Sequence, residues 1–141
     1  MTIEFRILQA TDAAVLDQVA AGVFDNDVQP ALAREFLGDA RHHIAVALDD
    51  AVVVGFASGV HYVHPDKPAE LWINEVGVAP THLRRGLAQS LLRLLFDAGR
   101  ALGCGQAWVL TDRANTAAMR LYASVGGDPG DRDHVMFDFR L

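Results

Sequence analysis

Asn74-Glu75-Val76-Gly77-Val78-Ala79-Pro80-Thr81-His82-Leu83-Arg84-Arg85-Gly86-Leu87-Ala88 reads as strand, proline-closed turn, basic glycine-containing loop and helix start. The first N–H groups of a helix have no carbonyl partner and lie at the positive end of its dipole. A loop that presents them to solvent is an anion site, suited to phosphate. Gly86 and Ala88 are small enough for a phosphate to approach the backbone, and Arg84 and Arg85 add positive charge. Arginine at a helix start opposes the dipole, a reason to expect an external anion. The same residues also describe an ordinary strand-to-helix turn with two solvated arginines, and the loop alone does not decide. There is no Gly-Lys-Ser/Thr, and no Gly-x-Gly-x-x-Gly follows a strand, so two common phosphate motifs are excluded.

The elements that must position this loop are legible in outline. Ile3, Phe5 and Ile7 alternate with Glu4 and Arg6, a first strand. Thr11 or Asp12 predicts a capped helix running to about Phe24, and Pro30 opens a second, short helix ending near Gly38. Ile44 to Leu48 and Val52 to His61 flank Asp49-Asp50 as a hairpin. Leu71 to Val78 is a further strand, in which Gly77 predicts a bulge or a close backbone approach. Leu87, Leu91, Leu94, Leu95, Ala98 and Leu102 repeat at helical spacing up to Gly103. Trp108 to Leu110 predicts a strand, Asn115 to about Ser124 a helix, and Val135 to Phe139 a last strand. The order β-α-α-β-β-β-α-β-α-β implies an α/β fold with a mixed sheet flanked by helices. No repeat or linker divides it, so residues 1–141 are expected to form one domain.

Composition narrows the function classes. Twelve Lys plus Arg against 18 Asp plus Glu give a net charge of −6. That balance disfavours a nucleic-acid binder and suits a cationic substrate. The single cysteine, Cys104, excludes an internal disulfide and a cysteine zinc cluster, and reads as a bystander rather than a nucleophile. None of the six histidines forms a zinc pattern, so no metal is expected. The start carries Glu4 and Arg6 without an apolar core of the signal-peptide type. The longest uncharged apolar stretch, Ala51 to Val60, is about half the ~20 residues of a membrane helix. The expectation is a soluble, cytoplasmic protein without membrane contact.

The segment Leu83 to Ala88 resembles the acetyl-CoA motif of the GNAT acetyltransferases, Gln/Arg-x-x-Gly-x-Gly/Ala. Leu83 departs from it, standing where the family usually has Gln or Arg. Asn115 to Gly127 resembles the family's Asn-x-x-Ala-x-x-x-Tyr-x-x-x-Gly helix. Both motifs stand in the family's order and spacing, and the element order covers essentially the whole chain. The resemblance implies a GNAT-like, mostly antiparallel sheet and direct acetyl transfer from acetyl-CoA to an amine. It implies that acetyl-CoA is held by Arg84, Arg85, Gly86, Leu87, Ala88 and Gln89. Val76, Gly77 and Val78 would pair with the pantetheine arm like an added strand, and Asn115 would contact the CoA or cap its helix. It also makes a homodimer an expectation, since many relatives are dimers.

Acetyl transfer needs a neutral amine, a polarised carbonyl and a protonated leaving thiolate. The resemblance gives Tyr122 the last task. A phenol near pKa ~10 can protonate a thiolate whose acid lies near ~8.5 at modest cost. On its residues alone, Tyr122 is equally a helix aromatic packed on the core. Glu75 could take a proton from the substrate ammonium directly or through water, or only orient the amine. Its other reading is a strand carboxylate facing solvent.

Carboxylates gather where the acceptor side of such a fold is built. Asp25, Asp27, Asp131 and Asp133, with Glu75, are the candidate substrate contacts, since an acid-lined cleft attracts a polycation. Each alone could equally be a solvated loop acid. The chain is further similar to the small aminoglycoside 3-N-acetyltransferases in Val23-Phe24-Asp25, in Trp72 to Val78 and in His134 to Phe139. Glu75 stands where that group usually has Asp. This similarity implies an aminoglycoside acceptor and a role in antibiotic resistance. The alternatives are a protein or peptide N-terminal acetyltransferase of the same fold and a non-catalytic acyl-CoA sensor.

Overall fold

The computed structural model describes residues 2–141. Five strands form one sheet in sequential order: β1 (Glu4–Ile7), β2 (His42–Asp49), β3 (Val52–Tyr62), β4 (Glu70–Val78) and β5 (Gln106–Val109). The first three pairings are antiparallel and the last, β4 with β5, is parallel. A parallel pair needs a crossover, and α2 (Leu87–Ala101) supplies it. The other helices are α1 (Pro30–Gly38) and α3 (Thr116–Ser124). No helix among the described residues is long and apolar enough to cross a membrane.

Strands β2 and β3 are buried on both faces, which is why they read as nearly continuous apolar runs. Ala45, Ala47, Gly55 and Ala57 are mutually opposed on one face, and this low surface lets α2 come close. A Cβ at Gly55 would sit 3.2 Å from Leu91 Cδ1. Leu87, Leu91, Leu92, Leu95 and Gly99 form the buried side of α2. Leu102, expected on that side, is exposed because the helix ends at Ala101. On the other face Ile44, Phe56 and Ser58 look toward α1 and the segment before it.

Two expected elements are corrected. The helix predicted from Thr11 or Asp12 to Phe24 is only a 3-10 turn over Ala13–Asp17. Beyond it the chain extends and pairs with β3: Val53 N–H donates to the Gln18 carbonyl and Ala20 N–H to the Val53 carbonyl, at 2.8 and 2.9 Å. The β-branched Val19 and Val23 and the left-handed Gly22 (φ +82°) favour this over helix. The predicted last strand, Val135–Phe139, has no ladder partner, so its alternating side chains face solvent. The bulge expected beside Gly77 lies at Asn74, three residues earlier.

Candidate active site

The loop before α2 presents the donors that the sequence promised. Gly86 occupies the N-cap position with a left-handed backbone (φ +76°), and no side chain caps the helix. The opening N–H groups of α2 therefore have no side-chain cap. Arg84 is also left-handed (φ +63°), a conformation that costs a non-glycine residue about 1–2 kcal/mol. Such strain is characteristic of ligand clamps. Arg84 and Arg85 are exposed, and neither has a carboxylate within ion-pair distance among the described residues.

A second feature sits beside it. β5 pairs with β4 only from Glu70 to Ile73, whereas β3 pairs with β4 as far as Val78. The edge of β4 from Asn74 to Val78 is thus open on the β5 side. An extended ligand arm can add there as a strand would. Val76, Gly77 and Val78 all lie on this open edge. Gly77 is required by close packing: a Cβ would strike the Val23 carbonyl oxygen and come within 2.9 Å of Phe56 Cε1.

The ladder slips by one residue at Asn74, because Glu75 opposes Ser58 while Ile73 opposes Gly59. Ile73 therefore packs in the core and Glu75 turns to the opposite face. There Glu75 joins a cleft of about 340 Å³ between α1, the 24–29 segment and the sheet. Asp25 and Asp27 stand on the same cleft, so the structure brings three of the five expected acceptor-side acids together. Asp131 and Asp133 do not join them. They lie on the unpaired tail, where Asp133 is 3.9 Å from Arg113. The floor is apolar, with Phe24 stacked on Phe56 at a ring separation of 4.0 Å. Ser58, 6% exposed, is its buried polar residue.

Tyr122 lies on the other side of β4. It is half-buried against Ile73 and Val109 in a cavity under β5, and burial pushes its phenol pKa up. Asn115 caps α3: its Oδ1 accepts from Ala118 N–H at 3.1 Å. The Gln89 side chain is committed to α3, donating to Ser124 Oγ at 2.9 Å, so what it offers a ligand is its backbone N–H. Cys104 is partly buried, and burial pushes its thiol pKa up, away from nucleophile chemistry.

One pair had no sequence signal. His82 Nε2 lies 2.7 Å from Asp49 Oδ2, with both side chains largely buried. Asp49 closes β2, and His82 immediately precedes the anion loop, so the pair ties that loop to the β2–β3 turn. The two residues are 33 positions apart, and nothing local to either announces the contact. Phe24, Phe56 and Ser58 were likewise not singled out for the cleft. The Asn74 slip that aims their strand faces is invisible in an apolar run.

Comparison with known proteins agrees with this geometry. The acetyltransferase (GNAT) family model matches residues 12–126. N-alpha-acetyltransferase RimI of Mycobacterium tuberculosis (strain ATCC 25618 / H37Rv) is 33% identical over 121 residues, covering 84% of this chain and 74% of that protein. An aminoglycoside acetyltransferase from an uncultured soil metagenomic sample superposes with a TM-score of 0.81 at 23% identity, covering 100% of this chain and 99% of that one. AAC(6')-Iy, solved with the bisubstrate analog CoA-S-monomethyl-acetylneamine, gives a TM-score of 0.78 at 21% identity, with both chains covered fully (100%).

Proposed function

The chain belongs to the GNAT acetyltransferase family and is an acyltransferase; from that premise we propose that it moves the acetyl group of acetyl-CoA to a primary amine of a polycationic small molecule, with an aminoglycoside as the leading substrate. The observation that carries the acceptor class is the convergence of Asp25, Asp27 and Glu75 on one cleft. Three carboxylates at an apolar-floored opening concentrate a polycation and hold its rings against the Phe24–Phe56 stack. The 3-amine is the expected position; the similar enzyme solved with the bisubstrate analog is a 6' enzyme, so the regiochemistry of the acetylated product decides between the two amines.

In this reading the N–H groups from Gly86 to Gln89, with Arg84 and Arg85, hold the CoA diphosphate. The open edge of β4 over Val76–Val78 pairs with the pantetheine arm and leaves the thioester near the Asn74 slip. A β4 N–H aimed at the acetyl oxygen stabilises the charge that develops there. Glu75 takes a proton from the ammonium, directly or through one water, and the neutral amine then attacks; the second proton the nitrogen loses as the amide forms balances the one delivered to the thiolate. Tyr122 donates to the departing thiolate, and its raised pKa keeps the phenol protonated across the working range. Attack and expulsion both occur within one assembled complex, so positioning supplies much of the rate.

A second reading has its own support. The relative with 33% identity is named for N-alpha-acetylation. A peptide N-terminus would present one ammonium to Glu75 and a side chain to the apolar floor at Leu32 and Phe36. A thiol-release assay with acetyl-CoA and a panel of aminoglycosides, polyamines and N-terminal peptides separates the two. The proposal expects kcat/KM for an aminoglycoside to exceed that for any peptide. A preference for peptides overturns the acceptor class. CoA binding without thiol release from any amine would favour a sensor.

A further inference from the structure

Among the described residues, one polar side chain is buried in the core: Ser58, 6% exposed. It sits in the middle of β3, where a β-branched apolar residue would pack better. Around it in the cleft stand Ile44, Phe56 and Glu75, and of these only Glu75 is polar. No side-chain hydrogen bond of the described residues involves the Ser58 hydroxyl. A hydroxyl buried without a partner costs stability, so its partner has to come from what enters the cleft.

Glu75 is the residue of β4 directly opposite Ser58. Side chains opposed across an antiparallel pair start about 4.5–5.5 Å apart at Cβ, so one small group can touch both. The slip at Asn74 is what makes them a pair, because it turns Glu75 to the face that Ser58 already occupies. The cleft they share, about 340 Å³, has room for a nitrogen between hydroxyl and carboxylate.

We propose that Ser58 is the second contact to the acceptor nitrogen and the residue that selects a primary amine: its Oγ accepts one N–H while Glu75 takes the proton of another. A primary ammonium carries three N–H bonds. One proton passes to Glu75 and frees the lone pair, which forms the C–N bond to the acetyl carbon. A second leaves as the tetrahedral centre collapses and the C–S bond breaks, matching the proton given to the thiolate. The third stays on the amide nitrogen, and it is the one Ser58 holds throughout. Two contacts fix the direction of the lone pair where one would leave it free to turn. A secondary amine spends both of its N–H bonds in the reaction and keeps none for Ser58. Its methyl group would face the hydroxyl and leave it buried and unpaired, which is how a site built to accept an N–H rejects an analogue without one.

This inference rests on amine acetylation at this cleft, and not on which amine is taken. Kanamycin A is compared with kanamycin A methylated at the nitrogen that its product carries acetylated. An alanyl peptide and its N-methyl form replace that pair if the enzyme prefers peptides. The wild type should favour the primary amine by at least about tenfold in kcat/KM. Ser58→Ala and the bulkier Ser58→Cys should both shrink that preference at least about threefold. KM for acetyl-CoA should stay within about twofold in both. Ser58→Ala should melt no lower than the wild type, since it removes an unpaired buried hydroxyl. A wild type indifferent to methylation, or a preference unchanged in both variants, would overturn the proposal while leaving acetyl transfer intact. A preference that shrinks in Ser58→Ala and grows in Ser58→Cys is steric fit alone and would overturn it too. So would a clear loss of melting temperature in Ser58→Ala, which makes the hydroxyl a structural partner. A wild type that turns over no amine removes the acetylation reading and this proposal with it.

Discussion

Glu75 of β4 stands opposite Ser58 of β3, although Ile73, two residues earlier, stands opposite Gly59. Without the slip at Asn74, Glu75 would share the face of Ile73 and be lost to the core. The slip sends it into the cleft that holds Asp25 and Asp27. Glu75→Gln keeps the shape and removes the proton acceptor. It should lower kcat by about 10²-fold, a typical loss for a general base. An unchanged kcat with a raised acceptor KM would make Glu75 an anchor only.

Tyr122→Phe should lower kcat by at least about 10-fold and leave CoA affinity within about twofold. The sign of its pH dependence follows from burial. The phenol pKa lies above 10, so the neutral donor persists through neutral pH and is lost only as pH rises past that value. The wild-type rate should therefore show no decline attributable to Tyr122 below about pH 10. Stopped thiol-release measurements on both proteins check this, and equal rates would remove the acid role.

The His82–Asp49 contact acts on the loop, not on the chemistry. His82→Ala should raise KM for acetyl-CoA about 5- to 10-fold, on the scale of a 1–1.4 kcal/mol loss. It should leave kcat at saturating acetyl-CoA nearly unchanged. A fall in kcat with constant KM would assign His82 a different task.

These cases show how far the sequence could be read. The loop from Leu83 to Ala88 and the α3 motif from Asn115 were legible because helix starts and caps are local. α2 was legible because its leucines repeat at helical spacing over 15 residues. The segment from Asp12 to Phe24 was not, because Gln18 and Ala20 exchange local helix for hydrogen bonds to Val53, a partner more than 30 residues away. Val135–Phe139 has a strand's pattern without a partner in its own chain. Asp25, Asp27, Asp131 and Asp133 were legible as one set of acids, and only the fold could separate the first two from the last two.

Gly77→Ala tests the close approach of β4 to the Val23 carbonyl. The added methyl has no room, so stability should fall by about 1–3 kcal/mol, the usual cost of overpacking. The displaced 20–24 segment carries the cleft wall with it, so acceptor KM should rise as well. Thermal melts and acceptor titrations check both parts; an unaltered melting temperature would mean the strand and the loop can part freely.

His43 makes stability pH-dependent. Burial, followed by the nearby His61 and His42, holds its pKa below the usual 6.5. The unfolded chain thus binds a proton more readily than the folded one. The contribution is fully present above about pH 6.5 and is lost as pH falls through the lower folded value. The melting temperature should drop between pH 7.5 and pH 5.5, and His43→Gln should flatten that drop. A variant with the same slope as the wild type would place the pH dependence elsewhere.

The account depends most on the diphosphate seat at the start of α2, and Ala88→Asp tests it directly. A carboxylate in the first turn favours the helix dipole, so the variant should melt no lower than the wild type. The same carboxylate repels a diphosphate, so calorimetric titration should show CoA binding weakened at least about tenfold, or about 1.4 kcal/mol. A folded variant that binds CoA as tightly as the wild type would contradict the account.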